Sequence, residues 1–195
     1  MTGPDVFEAL SPVVRALERA GVDYLVGGSV ASSTYGVARS TLDVDLVARL
    51  AERHVAGLAA ALQGAYYLDE EAIRDAVRRH GSFNLIHLAT AFKVDVFVLK
   101  AGGYDQEAFS RRRLDSLGGD DGGPTFFFAT AEDVVLRKLA WYRLGGEVSE
   151  RHWNDVLGVL RVQRDVLDRD YLNRWGAELK VAALLARAWA EAGAS

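Results

Sequence analysis

The 195-residue chain contains no cysteine. That removes disulfides, thiolate metal sites and cysteine nucleophiles together, and it accords with a reducing compartment. It has no basic surplus either. The formal net charge is −4 and the pI about 5.6, whereas a non-specific nucleic-acid binder usually carries excess positive charge. A large RNA is disfavoured and a small RNA substrate stays open. No window is long and apolar enough to cross a bilayer. The first 20 residues are broken by Asp5, Glu8, Arg15, Glu18 and Arg19, so they read as neither a signal peptide nor a span, and a soluble cytoplasmic location is the expectation. The four histidines (His54, His80, His87 and His152) lack metal-ligand spacing. No Gly-x-Ser-x-Gly frame accompanies a serine, and there is no internal repeat.

What is present suits one domain, or a domain with a small helical appendage. Half the residues are hydrophobic, enough for a sizeable core. Apolar spacing predicts helices over residues 5–20, 51–62 and 69–80, a small-residue helix from Ser29 to Tyr35 with Ser29 as its cap, and strands over 22–26, 43–48 and 66–68. Residues 83–88 and 93–99 read as a hairpin. Residues 101–124 are glycine-rich and charged and read as a mobile boundary, with Gly118 to Gly123 as a hinge or gate. After a short aromatic strand at 125–128, everything reads as helix, with caps at Thr130 and Ser149 and two further helices near Asp168 to Gly176 and Val181 to Ala192. The expected architecture is α/β (α+β): residues 1–124 form a small mixed β-sheet core flanked by helices, and residues 125–195 form an α-helical bundle packed on it.

The chemistry-bearing residues sit in three short frames. Asp43 and Asp45 lie in Leu42-Asp43-Val44-Asp45-Leu46; strand side chains alternate, so both carboxylates point one way. Two such carboxylates repel unless a cation lies between them. A third carboxylate, Asp95 in Val94-Asp95-Val96, would complete an oxygen-rich site for Mg²⁺. The third frame is the turn Gly27-Gly28-Ser29, a strand followed by two glycines and a helix start. Such a turn leaves backbone N–H groups free for phosphate oxygens, with Ser29 as an added donor. Thirteen residues, Val30 to Leu42, separate Ser29 from Asp43. One short helix and a return loop fit that length and would bring turn and aspartates to the same sheet end.

The order Val26-Gly27-Gly28-Ser29, then Asp43-Val44-Asp45, then Asp95 resembles the DNA polymerase β-like nucleotidyltransferase superfamily over residues 22–99. The helical half is similar to bacterial nucleotidyltransferases of uncharacterised role and to abortive-infection type IV toxin nucleotidyltransferases, where a helical lysine and a later aspartate serve the site; Lys138 and Asp155 match those positions. The resemblance implies transfer of a nucleoside monophosphate from an NTP (ATP among them) to a hydroxyl acceptor, with release of pyrophosphate. Asp43, Asp45 and Asp95 would be catalytic and hold Mg²⁺ or Mn²⁺. Gly27, Gly28, Ser29, Lys138 and Asp155 would bind nucleotide.

Several residues carry plainer readings as well. Lys138 could be an ordinary helix lysine, and Asp155 a salt bridge to a neighbouring helix. Arg39, Ser40 and Thr41 could touch phosphate or bond within their loop. Trp141, Tyr142 and Trp153 read as core, and the clusters Arg74-Arg78-Arg79-His80 and Arg111-Arg112-Arg113 as solvated surface or a landing strip for a polyanion. A catalytically silent relative that binds nucleotide or a partner is the alternative function, with metal-dependent phosphoester hydrolysis as a further one. The acceptor could be tRNA, a protein or a small molecule. Exposed apolar helical faces could support a homodimer, and a toxin role would bring an antitoxin partner.

Overall fold

Helical spacing near the N-terminus becomes α1 (Pro4–Arg19), with Val6, Leu10, Val13, Val14 and Leu17 buried along one side. There follow β1 (Tyr24–Val26), α2 (Gly28–Tyr35), β2 (Asp43–Ala48), α3 (Glu52–Leu62), β3 (Tyr66–Tyr67), α4 (Glu70–Arg79), β4 (Ser82–His87) and β5 (Lys93–Val98). The chain continues through α5 (Gly103–Ser110), β6 (Arg113–Ser116), β7 (Thr125–Phe128), α6 (Ala131–Leu144), α7 (Glu150–Val162), α8 (Arg169–Glu178) and α9 (Ala182–Gly193). The computed structural model describes residues 4–116 and 124–193. The hinge expected at Gly118 to Gly123 lies outside them.

Local chemistry explains most boundaries. The Asp69 carboxylate accepts from the N–H groups of Glu71 and Ala72 and starts α4. Thr130, Ser149 and Asp168 each accept one N–H at the starts of α6, α7 and α8. These side-chain oxygens satisfy donors that a helix's first turn leaves unpaired.

Among the described residues, seven strands form one mixed sheet in the order β3-β4-β5-β2-β1-β7-β6. At its centre β2 and β5 run parallel, and the register sets Asp43 beside Lys93, Asp45 beside Asp95 and Val47 beside Phe97. The opposite faces of these two strands are sealed: Val44, Leu46, Ala48, Val94, Val96 and Val98 are all buried, and α1 packs against both strands. α4 packs on β4 and β5, with α3 against both α1 and α4. On the side of Asp43 and Asp45, α2 lies against β2 and meets α6 and α7. This last contact is close: a Cβ at Gly36 would come within 2.9 Å of the Val159 backbone nitrogen. No helix among the described residues is long and apolar enough to cross a membrane.

Within the stretch expected to be a mobile boundary, 101–124, the described residues 101–116 and 124 are ordered into the fold. The stretch holds α5 and β6. Tyr104, Ala108 and Phe109 are buried on one side of α5, and β6 pairs antiparallel with β7. The glycines and charges that suggested a mobile boundary flank this apolar spacing. Five arginines of the two basic clusters are also paired within the fold. Arg74 bonds Glu52 and Glu70, Arg78 and Arg79 bond Asp75, Arg111 bonds Glu132, and Arg112 bonds Asp23. The charge of Arg111 also lies 3.8 Å from the Tyr171 ring centroid, a cation–π contact.

Candidate active site

The turn after β1 presses directly on β2. The Gly27 N–H donates to the Asp45 carbonyl at 2.8 Å. Gly28 has a φ of +57°, and a Cβ there would lie 1.6 Å from Asp45 Oδ2. Only glycine fits both the backbone conformation and the space. Ser29 is not the helix cap expected of it. Helix α2 begins at Gly28 with Gly27 in the capping position and no side-chain cap, and the Ser29 hydroxyl instead accepts a hydrogen bond from Arg39 Nη2. The Ala31 N–H closes the first turn onto the Gly27 carbonyl at 3.1 Å. The N–H groups before it therefore have no intrahelical acceptor.

Asp43 and Asp45 share one face of β2 and line a cavity of about 410 Å³ together with Gly27, Gly28, Ser29 and Lys138. The Thr41 hydroxyl donates to Asp43 Oδ1 at 2.6 Å, fixing that carboxylate. The Asp45 carboxyl is pushed up to about 6, first by burial and then by the charges of Asp43 and Asp95. Lys138 and Lys93 offset only part of this. Asp95 is the register partner of Asp45, yet its Oδ2 is held by the Lys93 ammonium at 2.6 Å, and it does not line the cavity. Among the described residues, no three carboxylate or imidazole groups are gathered as a finished metal cage. The donor set nevertheless fits a hard divalent cation. It offers carboxylate oxygens only, crowded enough to raise one of them, and a bound cation would relieve that repulsion.

Lys138 and Asp155 meet each other. Lys138 Nζ donates to Asp155 Oδ2 at 2.6 Å, and both side chains are nearly inaccessible. Arg39 grips the same carboxylate in a fork, Nε to Oδ1 at 2.8 Å and Nη2 to Oδ2 at 2.9 Å. Burial works to raise the Asp155 carboxyl, but Arg39 and Lys138 together hold it below the usual range. Burial pulls Lys138 below the lysine range, and Asp155 restores part of it. One carboxylate thus positions two cations, and Arg39 carries the network on to Ser29. Of the pair, only Lys138 reaches the cavity.

The structure adds residues that had no assigned role. Trp141, expected in the core, is 54% exposed and lines the cavity one helical turn after Lys138. Tyr142 and Trp153 are buried as expected and face each other with ring centroids 5.2 Å apart. His152, three residues before Asp155, also lines the cavity; burial, then Lys138, pushes its imidazole below the histidine range. Arg137 and Arg151 complete this side. The helical spacing from Lys138 and Asp155 was the available signal for Trp141 and His152.

Comparison with solved structures bears on the whole chain. It superposes on the antibiotic-resistance factor ANT(2'')-Ia with a TM-score of 0.58 and 14% identity, covering 94% of this chain and 95% of the other. The fold is the nucleotidyltransferase fold. A second ANT(2'')-Ia structure, in complex with adenylyl-2''-tobramycin, gives a TM-score of 0.57 at 12% identity, with 90% and 97% covered. An antigenic nucleotidyltransferase-like protein from Paracoccidioides brasiliensis gives 0.54 at 15%, with 96% and 94% covered. No family model matches the sequence, and no curated protein matches it. In this chain the Gly27-Gly28-Ser29 turn, Asp43, Asp45 and Lys138 line one cavity.

Proposed function

We propose that this chain is a divalent-cation-dependent nucleotidyltransferase, moving a nucleoside monophosphate from an NTP to a hydroxyl acceptor and releasing pyrophosphate. The observation that carries the reading is the closeness of the glycine turn to the acidic pair: Gly28 has no side chain where the Asp45 carboxylate sits. Phosphates bound at the turn would therefore lie beside the carboxylates.

Gly28 and Ser29 bind the β- and γ-phosphates through backbone N–H groups and the Ser29 hydroxyl, and Gly27, whose N–H is held by the Asp45 carbonyl, lets the chain approach them without a side chain. Lys138 supplies positive charge to the triphosphate, and Asp155 orients Lys138 and Arg39 without touching nucleotide. Trp141 stacks on the base. Asp43, Asp45 and Asp95 would hold Mg²⁺ or Mn²⁺, which supplies charge neutralisation for an in-line displacement at the α-phosphorus. Asp95 also takes the proton of the acceptor hydroxyl once Lys93 yields its place. The antibiotic substrate adduct of ANT(2'')-Ia favours a small-molecule acceptor over tRNA or protein.

The Lys93–Asp95 pair favours a second reading, a silent relative that binds NTP without turnover. The deciding experiment incubates the protein with each α-³²P-labelled NTP, Mg²⁺ and an extract of metabolites, protein and RNA, beside the Asp43→Ala/Asp45→Ala variant. Label transferred by the wild type alone establishes the transferase and the acceptor class. Metal-dependent NTP binding with no label in any fraction establishes the silent relative.

A further inference from the structure

Beyond the carboxylates, the same cavity continues along the strands. Two residues on from the pair Asp45–Asp95, the parallel register sets Val47 beside Phe97 on the same face. Two strand residues span about 7 Å. Unlike their sealed neighbours Leu46 and Val96, Val47 and Phe97 are only half-buried and line the cavity. The floor next to the reacting end is therefore apolar.

Past this floor the lining is charged again, and its balance is positive. Arg137 and Asp105 bond each other and cancel. Asp133, also in the lining, is sealed: its carboxylate accepts from the Tyr171 hydroxyl at 2.7 Å and from Thr130 Oγ1 at 2.8 Å, and it is only 1% exposed. Lys100, where the chain leaves β5, is exposed and lines the cavity. Among the described residues no carboxylate pairs with its ammonium. The end of the cavity away from the glycine turn thus offers an apolar floor and then the Lys100 ammonium, with no free carboxylate besides the acidic set already committed to metal.

We infer that the acceptor is a small hydroxyl compound with an apolar body and an anionic group at its far end, its hydroxyl beside Asp45 and Asp95, its body over Val47 and Phe97, and its anion on Lys100. This rests on the nucleotidyltransferase reading. In the transfer, the acceptor O–H bond breaks and its oxygen bonds to the α-phosphorus. The bond from that phosphorus to the bridging oxygen breaks, pyrophosphate leaves, and the proton passes to Asp95. A polycationic acceptor would meet the Lys100 ammonium with no free carboxylate beside it.

The test uses three probes of one skeleton: 3-(4-hydroxyphenyl)propionate, 4-ethylphenol and tyramine, which are anionic, neutral and cationic. Each is titrated by calorimetry or saturation-transfer NMR into full-length protein loaded with Mg²⁺ and a non-hydrolysable NTP analogue. The expected order is propionate, then ethylphenol, then tyramine, with roughly tenfold or more between the extremes. Lys100→Glu should abolish the preference for the propionate, Lys100→Arg should retain it, and Phe97→Ala should weaken all three. Tyramine binding as tightly as the propionate, or an unchanged preference in Lys100→Glu, overturns the inference. Failure of the underlying reading is seen earlier and separately, as a wild type that does not bind the NTP analogue, and it overturns the inference with it.

Discussion

Gly28 and Asp45 occupy adjoining space: a Cβ at position 28 would come within 1.6 Å of Asp45 Oδ2 and 2.6 Å of its Cγ. The glycine turn and the first acidic strand are thus one unit, joined as well by the Gly27 N–H to the Asp45 carbonyl. Gly28→Ala adds a methyl group and forces an L-residue to hold a φ of +57°, which costs roughly 1–2 kcal/mol by itself. Asp45 must also rotate away. NTP affinity is expected to fall more than tenfold while the protein stays folded, by calorimetry beside circular dichroism. Full NTP affinity in this variant would separate the turn from the nucleotide site.

Asp45 yields a prediction about pH. Its carboxyl is raised from 3.8 to about 6 in the fold. Between those values the folded protein holds a proton that the unfolded chain has already lost. Without metal, stability should therefore fall as pH rises from about 4 to about 6 and stay lowered above it. Asp45→Asn removes this cost. In chelator at pH 8 it should be more stable than wild type by about 1–3 kcal/mol, with the difference gone near pH 4. Mg²⁺ should then stabilise the wild type but not the variant, and its affinity for wild type should drop below about pH 6. Equal thermal midpoints at pH 8 would show that Asp45 is not strained by its neighbours.

The Lys138–Asp155–Arg39 network separates stability from function. Asp155→Ala leaves two cations facing each other, one of them buried, and breaking a buried pair costs about 3–5 kcal/mol. Lys138→Met leaves Asp155 still gripped by Arg39 through two hydrogen bonds, so its stability loss should be much smaller. Its NTP affinity should nonetheless fall by tenfold or more. Urea denaturation and NTP titration of both variants check this. Equal destabilisation by the two would make Lys138 a structural residue.

Trp141 is 54% exposed, so Trp141→Ala should change stability by less than about 0.5 kcal/mol. Stacking on a base is worth about 1–3 kcal/mol, and the variant should lose NTP affinity roughly 5- to 150-fold. Quenching of tryptophan fluorescence on NTP addition, absent in the variant, gives an independent reading. Trp141→Phe should recover part of the affinity. Unaltered NTP affinity in Trp141→Ala would leave the base without this platform.

The chain itself determined the strand alternation that puts Asp43 and Asp45 on one face, the caps at Asp69, Thr130 and Ser149, the glycine turn, and the α/β class with its helical C-terminal part. All of these follow from neighbours within a few residues, where periodicity and side-chain chemistry act directly. The helix α5 hidden in a glycine-rich stretch had the same kind of local signal, Tyr104, Ala108 and Phe109, outweighed by flanking glycine and charge. Tertiary structure alone decided the remainder. Asp45 lies beside Asp95 because two parallel strands 50 residues apart settle into one register. Asp155 joins Arg39 across 116 residues, and Trp141 turns to the cavity while Tyr142 turns to the core. No local pattern encodes such pairings. They depend on which faces are left to meet once the apolar surfaces have been buried.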